Sequence, residues 1–600
     1  MNKIFISIFV AILLVGSVSA VPGDLNSDSC VTLSEVSSFV SQWLNGQVSL
    51  TLVSQSVNAW LQGCSPSSDL GSGITYYVSS SSGNDANSGT SVSAPWKSLS
   101  KVVSKMSTFK PGDNILFKRG DVWVAQRLYS TTHPSGTEGN YITYGSYGSG
   151  ALPKLSAREQ VSLSWTSVGS NIYSTPKSDS GRIFKDGVEL LAAATTGIAS
   201  GIGMAELGKY GVSYWWDDSS GKLYIYSTTN PSNSVWEMDK YSVVVWFTDA
   251  DYIRFQDIEV VGGSSAAVIM TGNSHWVFRN CKIGARAGYG IDIRSGPTNN
   301  DYNLIDNCVF DSEFTVDYSL LPSTANDYRG CSDGVNMWGS SNYNEVKNSV
   351  FIDWGHTAFQ IAGKPDSPSR YNKFHDNEVY LTKILYGRAF TTQDYAENNE
   401  IYNNYMHDTY TQNQLLGHNN HVYNNVISNI YGTPIKSGGK LGQGISIENY
   451  GAKDYGISGN IIEGNTFVNI AGIGIQVYTA YGDTANIHDN IIRNNILYNC
   501  GIKERSGVAL AIDVNTGTGN VNNVVSNNLI YNPGITNTCK SPYGSSAMSV
   551  SAFNGLSSYF TNNIASDPMF VDVNNANYNL KSGSPALSAG IGARGAVLNR

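Results

Sequence analysis

Nine short phrases decide the fold: Asn280-Cys-Lys-Ile, Asn307-Cys-Val-Phe, Asn348-Ser-Val-Phe, Asn377-Glu-Val-Tyr, Asn404-Tyr-Met-His, Asn425-Val-Ile-Ser, Asn465-Thr-Phe-Val, Asn495-Ile-Leu-Tyr and Asn528-Leu-Ile-Tyr. Each is an asparagine, any residue, then two mostly apolar residues, recurring every 21 to 41 residues or so. Self-similarity at such a period marks a solenoid. The intervening turns are rich in Asn and Gly and too short for crossover helices. Parallel strands stacked coil upon coil satisfy both the alternation and the short turns, with the asparagines hydrogen-bonded in a ladder. The fold class is therefore mainly β. Cys281 and Cys308 each follow an Asn in equivalent places and are expected to stack in the core.

The rest of the composition agrees. Six hundred residues predict roughly two to four domains. Hydrophobic residues make up 41% and charged residues only 14%, against about 25% charged in ordinary domains. This excludes a long disordered chain, and it excludes a helical bundle rich in Ala, Glu, Lys and Leu. The net charge of −9 gives no basic excess for nucleic acid.

Residues 1–20 read as a signal peptide. Lys3 gives the positive start, Ile4 to Val15 the apolar run, and Val18-Ser19-Ala20 the cleavage site. The run is shorter than the roughly 20 apolar residues a membrane span needs, and no later segment supplies one. The protein is expected outside the cell, secreted or attached to the surface. Seven cysteines fit an oxidising compartment, and the odd number leaves one over. Cys30 and Cys64 flank one small module, where a bridge is expected. Cys331, Cys500 and Cys539 cannot be paired from sequence.

That module is duplicated. Residues 30–46, CVTLSEVSSFVSQWLNG, match residues 47–63, QVSLTLVSQSVNAWLQG, at Val31/Val48, Leu33/Leu50, Trp43/Trp60 and Gly46/Gly63, with helical apolar spacing. Before the first copy stand Asp24, Asn26 and Asp28, followed by Thr32 and Glu35. Oxygen donors at loop positions one, three, five and twelve suit a calcium ion, with Cys30 offering its carbonyl. Ser29 departs from the usual turn glycine, and the second copy has lost its acids. Residues 22–64 resemble a dockerin, the duplicated calcium-loop module that plugs carbohydrate-active enzymes into a scaffold. The resemblance implies calcium as cofactor and a cohesin-like scaffold protein as partner. SPSSDLGSG, residues 65–73, follows as a linker.

The body, residues 74–600, resembles the right-handed parallel β-helix of the pectin-lyase-like proteins. Tyr76-Tyr-Val-Ser-Ser-Ser-Ser-Gly83-Asn-Asp85-Ala-Asn87-Ser-Gly89-Thr, then Ala94-Pro-Trp96, looks like the usual start of such domains. Gly112-Asp-Asn-Ile-Leu-Phe-Lys-Arg-Gly120-Asp looks the same. Asp567-Pro-Met-Phe-Val-Asp and Gly583-Ser-Pro-Ala look like their usual end. Residues 99–106 are expected to form a capping helix, because open solenoid ends invite edge pairing. Residues 155–245 do not repeat and read as a β insertion. Its aromatics, Trp215 and Trp216 among them, are better placed as core than as sugar platforms.

The strand after each Asn strand carries the candidate chemistry. The phrases Tyr289–Arg294, Asp333–Trp338, Thr357–Ile361 and Arg388–Gln393 align, followed by Gln443–Glu448. Asp333 and Arg388 then face the same way, with Thr357 between and His356 at the edge. These are the catalytic candidates: Asp333, His356 and Arg388. Asn336 and Gln360 form a second outward row, and Arg294, Trp338, Gln393 and Glu448 a third. With Lys436 they are the substrate-binding candidates. A lyase needs a base and a cation against a uronate carboxylate, for which Arg388, Lys436 and His356 would serve. A hydrolase needs two carboxyl groups, for which Asp333 with Asp353 or Glu448 would serve. Arg286, Arg294, Lys364, Arg388 and Lys436 would give the groove a local positive field. The sequence-based expectation is a secreted polysaccharide-degrading enzyme acting on an extended, uronate-containing glycan. The alternative is a surface protein that binds glycan without cutting it.

Overall fold

The computed structural model describes residues 70–597 apart from 178–181, 193–203, 205–206, 209–211, 218, 286–287, 295, 297, 313–332, 384–385, 433–441, 450–456, 480–486, 503–508, 516–521, 542–545 and 596. The expected signal peptide, the duplicated module with Asp24, Asn26, Asp28, Thr32 and Glu35, most of the linker, the Cys30–Cys64 bridge, Cys331, Arg286 and Lys436 lie outside the described residues.

Short strands follow one another around each coil and pair with their counterparts in the next. They build three long sheets, one of 14 strands and two of 13. Nearly all pairings in these sheets are parallel, as between Glu345–Lys347 and Lys373–His375. Alternate residues point inward, so equivalent apolar side chains stack at the coil spacing of roughly 4.8 Å. Phe351 illustrates this. It is fully buried, its ring 4.5 Å from Phe310 and 5.6 Å from Phe374. Truncating it to Ala should cost about 3–5 kcal/mol, transfer and cavity terms together.

Two asparagine ladders brace the corners. In one, Asn303, Asn344, Asn372, Asn399, Asn420, Asn460, Asn490 and Asn523 follow one another, all essentially buried. Each passes a backbone N–H and a side-chain amide to the oxygen of the next, as from Asn344 to Asn372 at 3.0 and 2.9 Å. In the other, Asn377, Asn404, Asn425, Asn465, Asn495, Asn528 and Asn563 do the same. One expectation is corrected here. Asn280, Asn307 and Asn348 do not occupy the ladder position. They sit one residue earlier, in left-handed backbone at φ of 54°, 53° and 51°. The ladder position in those coils is held by Cys281, Cys308 and Ser349, the residue just before strands Lys282–Gly284, Val309–Asp311 and Val350–Ile352. Asparagine is favoured at both places, because it tolerates positive φ and also bonds backbone, so the phrases could be aligned one residue out. Cys281 and Cys308 are buried and free, and burial pushes the Cys308 thiol well above its usual range. Cys500 and Cys539 are likewise buried and free.

The ends are closed. Helix α1 (Leu99–Lys105) is capped by Ser98, whose hydroxyl accepts from Lys101 N, and it buries Leu99 and Val102 in the main core. At the other end α2 (Val550–Asn554) buries Phe553 against Phe560, rings 4.5 Å apart. The final segment lays Phe570, Tyr578, Ala586, Ile591 and Val597 over Tyr405, Val426, Val468, Ile496 and Leu529, on one outer face.

The strands between Arg158 and Asp239 form a four-stranded and a five-stranded sheet apart from the coils. Lys154–Ser156 and Val243–Thr248 belong to coils instead, pairing with Glu259–Val261 and Ala266–Thr271. A hairpin pairs Tyr214 with Ile225 and Asp217 with Lys222. Tyr214, Trp236, Ile183, Leu223 and Ile225 make a small separate core. Arg182 Nη1 donates to Ser312 O at 2.9 Å, tying the insertion to a coil.

Candidate functional site

The candidate residues sit on successive strands of one 13-stranded sheet: β1 (Tyr289–Arg294), β2 (Asp333–Trp338), β3 (Thr357–Ala362), β4 (Arg388–Gln393), β5 (Asn413–Leu415) and β6 (Ile445–Asn449). Val335, Phe359 and Phe390 stack in register and point into the core. Ala358 and Ala389, one position earlier, also join the core, so the strands bend between the two inward residues. The bend demands small side chains. A Cβ on Gly334 would lie 2.7 Å from the Phe351 ring and 2.6 Å from Ala358 O.

The bend turns the preceding row outward. Asp333, Thr357 and Arg388 are in register across β2, β3 and β4. His356 Nδ1 lies 2.7 Å from Asp333 Oδ1. A carboxylate only accepts, so Nδ1 carries the proton and Nε2 is left as the basic nitrogen. Nε2 makes no hydrogen bond to a described residue. The ring is 20% exposed, while the Asp333 side chain is 2% exposed. Arg388 is buried. Its Nη1 lies 3.4 Å from Thr391 Oγ1, and its buried Nε has no hydrogen-bond partner among the described residues.

The second row runs Asp292, Asn336, Gln360, Thr391, Gln414 and Ser446. Asn336 Nδ2 donates to Asp292 Oδ1 at 2.8 Å, and Gln360 Nε2 donates to Asn336 Oδ1 at 3.1 Å. Arg294 Nε donates to the other oxygen of Asp292. Burial raises the Asp292 carboxyl above its usual value against the lowering effect of Arg294, and the nearby Asp333 charge adds to the rise. The third row is Arg294, Trp338, Ala362 and Gln393.

Two sequence expectations change. Glu448 is not on the coil after Gln393, because β5 lies between β4 and β6. That coil escaped the sequence alignment because Asn413 stands at an inward position and breaks the apolar alternation. It accepts from Ala389 N and Phe390 N at 2.9 and 3.2 Å and donates to Gly444 O at 2.9 Å. Glu448 is buried and accepts from Gln414. Asp353 is not beside Asp333. It braces a turn, accepting from Thr382 N, Thr382 Oγ1 and Lys383 N at 2.6, 2.6 and 2.8 Å. The carboxylate that does sense Asp333 is Asp292. The sequence reading left Asp292 and Gln414 out, although Asp292 stands in Tyr289–Arg294 at the position aligned with Asn336.

Comparison with known proteins places this arrangement among others. A family model described as "Right handed beta helix region" matches residues 241–394, the stretch containing β1 to β4. A lacto-N-biosidase of Bifidobacterium longum is 46% identical over 90 residues. That match covers 14% of this chain and only 5% of the relative. Among solved structures, the alginate lyase AlyGC of family PL6 is similar at TM-score 0.47 and 12% identity, over 87% of this chain and 57% of that one. The pectate lyase Pel9A gives 0.36 and 13%, over 85% and 90%. The GH136 lacto-N-biosidase from Eubacterium ramulus gives 0.36 and 13%, over 78% and 66%.

Proposed function

We propose that the chain is a secreted polysaccharide-degrading enzyme that cuts a uronate-containing glycan by elimination. The observation that carries this is the Asp333–His356 hydrogen bond at 2.7 Å, with Arg388 in the same outward row two strands on from Asp333. In this reading Asp333 orients the ring and stabilises the imidazolium that forms. His356 Nε2 takes the proton from the carbon bearing the carboxylate. The freed electron pair becomes a ring C=C bond as the neighbouring C–O bond breaks, and the departing oxygen takes a proton from water. The positive charge of Arg388 neutralises the carboxylate and so lowers the barrier to proton loss. The parallel β-helix and the lacto-N-biosidase match support carbohydrate degradation in general, and the residues favour elimination.

Hydrolysis is the second reading, favoured by the raised Asp292 carboxyl coupled to Asp333. Glycoside hydrolysis uses two carboxyl groups across the scissile bond. Against it, both oxygens of Asp292 already accept hydrogen bonds, from Asn336 and Arg294. The dockerin-like module would bind calcium through Asp24, Asn26, Asp28, Thr32 and Glu35 and dock to a cohesin-like scaffold outside the cell.

The test follows reducing ends and the ultraviolet absorbance of unsaturated uronides together, on a panel of uronate and neutral polysaccharides. Both signals rising supports elimination. Reducing ends alone supports hydrolysis. Neither signal, with retention on a glycan column, supports a binding protein and refutes both enzymatic readings.

A further inference from the structure

Five successive coils place an aromatic ring at the same corner of the solenoid. The rings of Tyr252, His275, Tyr302, Tyr343 and Tyr371 stack in one column, with centroids 4.4, 5.3, 4.9 and 5.0 Å apart and neighbouring planes within 14° of parallel. The column stands at the turn that leads from the sheet of the candidate site into the 14-stranded sheet, as from Trp338 through Tyr343 to Glu345–Lys347. All five residues are in left-handed backbone, at φ of 55° to 59°. That conformation disfavours bulky side chains, and later coils fill the same corner with Asn398, Asn419 and Asn522. Burial does not compensate, since Tyr302, Tyr343 and Tyr371 are 53, 47 and 45% exposed. Stacking covers the ring faces and leaves the edges and hydroxyls to solvent. The four tyrosine hydroxyls make no hydrogen bond to a described residue. A strained, exposed and regular row with unused hydroxyls points to a ligand rather than to the needs of the fold.

We propose that this column is a second glycan-binding surface, outside the groove, which holds an extended polysaccharide lying along the solenoid axis. The coil spacing of roughly 4.8 Å is close to the length of one pyranose unit in such a chain, so each phenol meets one sugar. The phenol hydroxyls exchange hydrogen bonds with sugar hydroxyls, and the ring edges pack on sugar C–H groups. Stacking already fixes each ring, so little side-chain entropy is lost on binding. The row is one ring wide. Asp301, Asn342 and Arg370 precede the three exposed tyrosines, and the buried Asn303, Asn344 and Asn372 follow them. Such a line suits a linear polymer better than a protein, whose stable interfaces take about 800 Å² from each partner. Neighbouring charges are paired, Arg370 with Glu397 at 2.8 Å and Lys347 with Glu345 at 3.2 Å, so recognition is through hydroxyls rather than charge. The surface keeps a polymer on the protein between cuts and does not depend on whether the groove eliminates or hydrolyses.

The experiment uses the full mature chain and three probes: polygalacturonate, alginate and the neutral polymer xylan. Affinity chromatography on each immobilised probe measures binding. The parent should be retained by at least one, with little change in high salt. Tyr302→Asn, Tyr343→Asn and Tyr371→Asn together should weaken that binding about tenfold. Their thermal unfolding midpoint should match or exceed the parent's, because asparagine tolerates the left-handed backbone. Phenylalanine at the same three positions keeps the stack, removes the hydroxyls and should weaken binding about threefold. Nitration by tetranitromethane, mapped by mass spectrometry, locates the contact, and the soluble probe should slow it at Tyr302, Tyr343 and Tyr371. Retention of the parent by no probe, full retention of the asparagine variant, or tyrosines that nitrate unhindered under bound probe would overturn the proposal. So would intact glycan binding with loss of self-association in that variant, which makes the column a contact between protein chains. A parent that binds through these tyrosines and cuts nothing would refute the enzymatic reading and leave this surface standing.

Discussion

Asn425→Ala tests what holds the solenoid's corner. Asn425 is fully buried. Its Oδ1 accepts from Asn404 N at 3.0 Å and from Asn404 Nδ2 at 2.9 Å. Its Nδ2 reaches Ile401 O at 2.9 Å, Tyr423 O at 3.0 Å and Asn465 Oδ1 at 2.9 Å. Alanine removes all of these, but most partners keep another bond. Asn404 Nδ2 still reaches Phe374 O and Tyr402 O, and Asn465 Oδ1 still accepts from Asn425 N. The Asn404 N–H is the group left buried without its acceptor. One orphaned donor costs about 1–3 kcal/mol, and the lost side-chain bonds bring the total to about 3 kcal/mol. Native-state hydrogen exchange reads this locally, which suits a repeat protein whose coils open separately. Protection at residues 401–406 should fall about 100-fold, while Ile142–Tyr147, many coils away, should keep its own. Asn425→Asp should be worse than alanine. It keeps an acceptor for Asn404 but aims a carboxylate at the oxygens of Ile401, Tyr423 and Asn465. Unchanged protection at Asn404, or a milder effect for Asp than for Ala, would refute the ladder as the source of this stability.

Three further outcomes are expected. Asp333→Asn and His356→Ala should each lower kcat by about 100-fold or more with KM little changed, since both act on proton transfer rather than on binding; full kinetic parameters on an active polysaccharide check this. Stability around Tyr405 should vary with pH through the Glu378–His407–Asp408 cluster, where His407 Nδ1 lies 2.6 Å from Asp408 and Nε2 3.1 Å from Glu378. Burial opposes the charged His407, but the bonds to Asp408 and Glu378 outweigh it and raise its pKa above 6.5, while those from His407 and Tyr431 outweigh burial at Asp408 and lower its pKa below 3.8. The histidine's contribution is whole below 6.5 and fades as pH rises through its raised value; the aspartate's is whole above 3.8 and fades as pH falls through its lowered one. Thermal unfolding should thus be most favourable to the native state between these values, and His407→Gln should flatten the alkaline side. Finally, Asp24→Ala should weaken calcium binding by the full chain at least tenfold in calorimetry if the loop ligates the ion.

The fold was legible because a solenoid repeats one local solution. Each coil needs apolar residues inward, a left-handed turn and a buried amide, and those demands fall on the same residue types at every turn. Legibility failed where two demands favour the same residue. Asparagine suits both the left-handed turn and the ladder, so Asn280, Asn307 and Asn348 aligned one place out. It failed again at Asn413, where a polar residue faces inward and hid the coil containing Gln414. The site was partly legible, since the alignment that puts Asp333, Thr357 and Arg388 in one row is the register of β2, β3 and β4.

The sequence by itself determined the stacked parallel strands, the short closing helix at Leu99–Lys105 and the residue types that gather on the outer face of one sheet. Periodicity carries that information, and periodicity is local. Only the tertiary structure decided which groups are joined across coils. It set His356 on Asp333, ran a hydrogen-bonded row from Arg294 through Asp292 and Asn336 to Gln360, turned Asp353 away to its own loop and moved Glu448 two strands from Gln393. The contacts that cross from coil to coil join residues about 23 to 44 positions apart. Loops of unequal length between coils set which residue meets which, and that register is fixed by packing of the whole stack rather than by any one phrase.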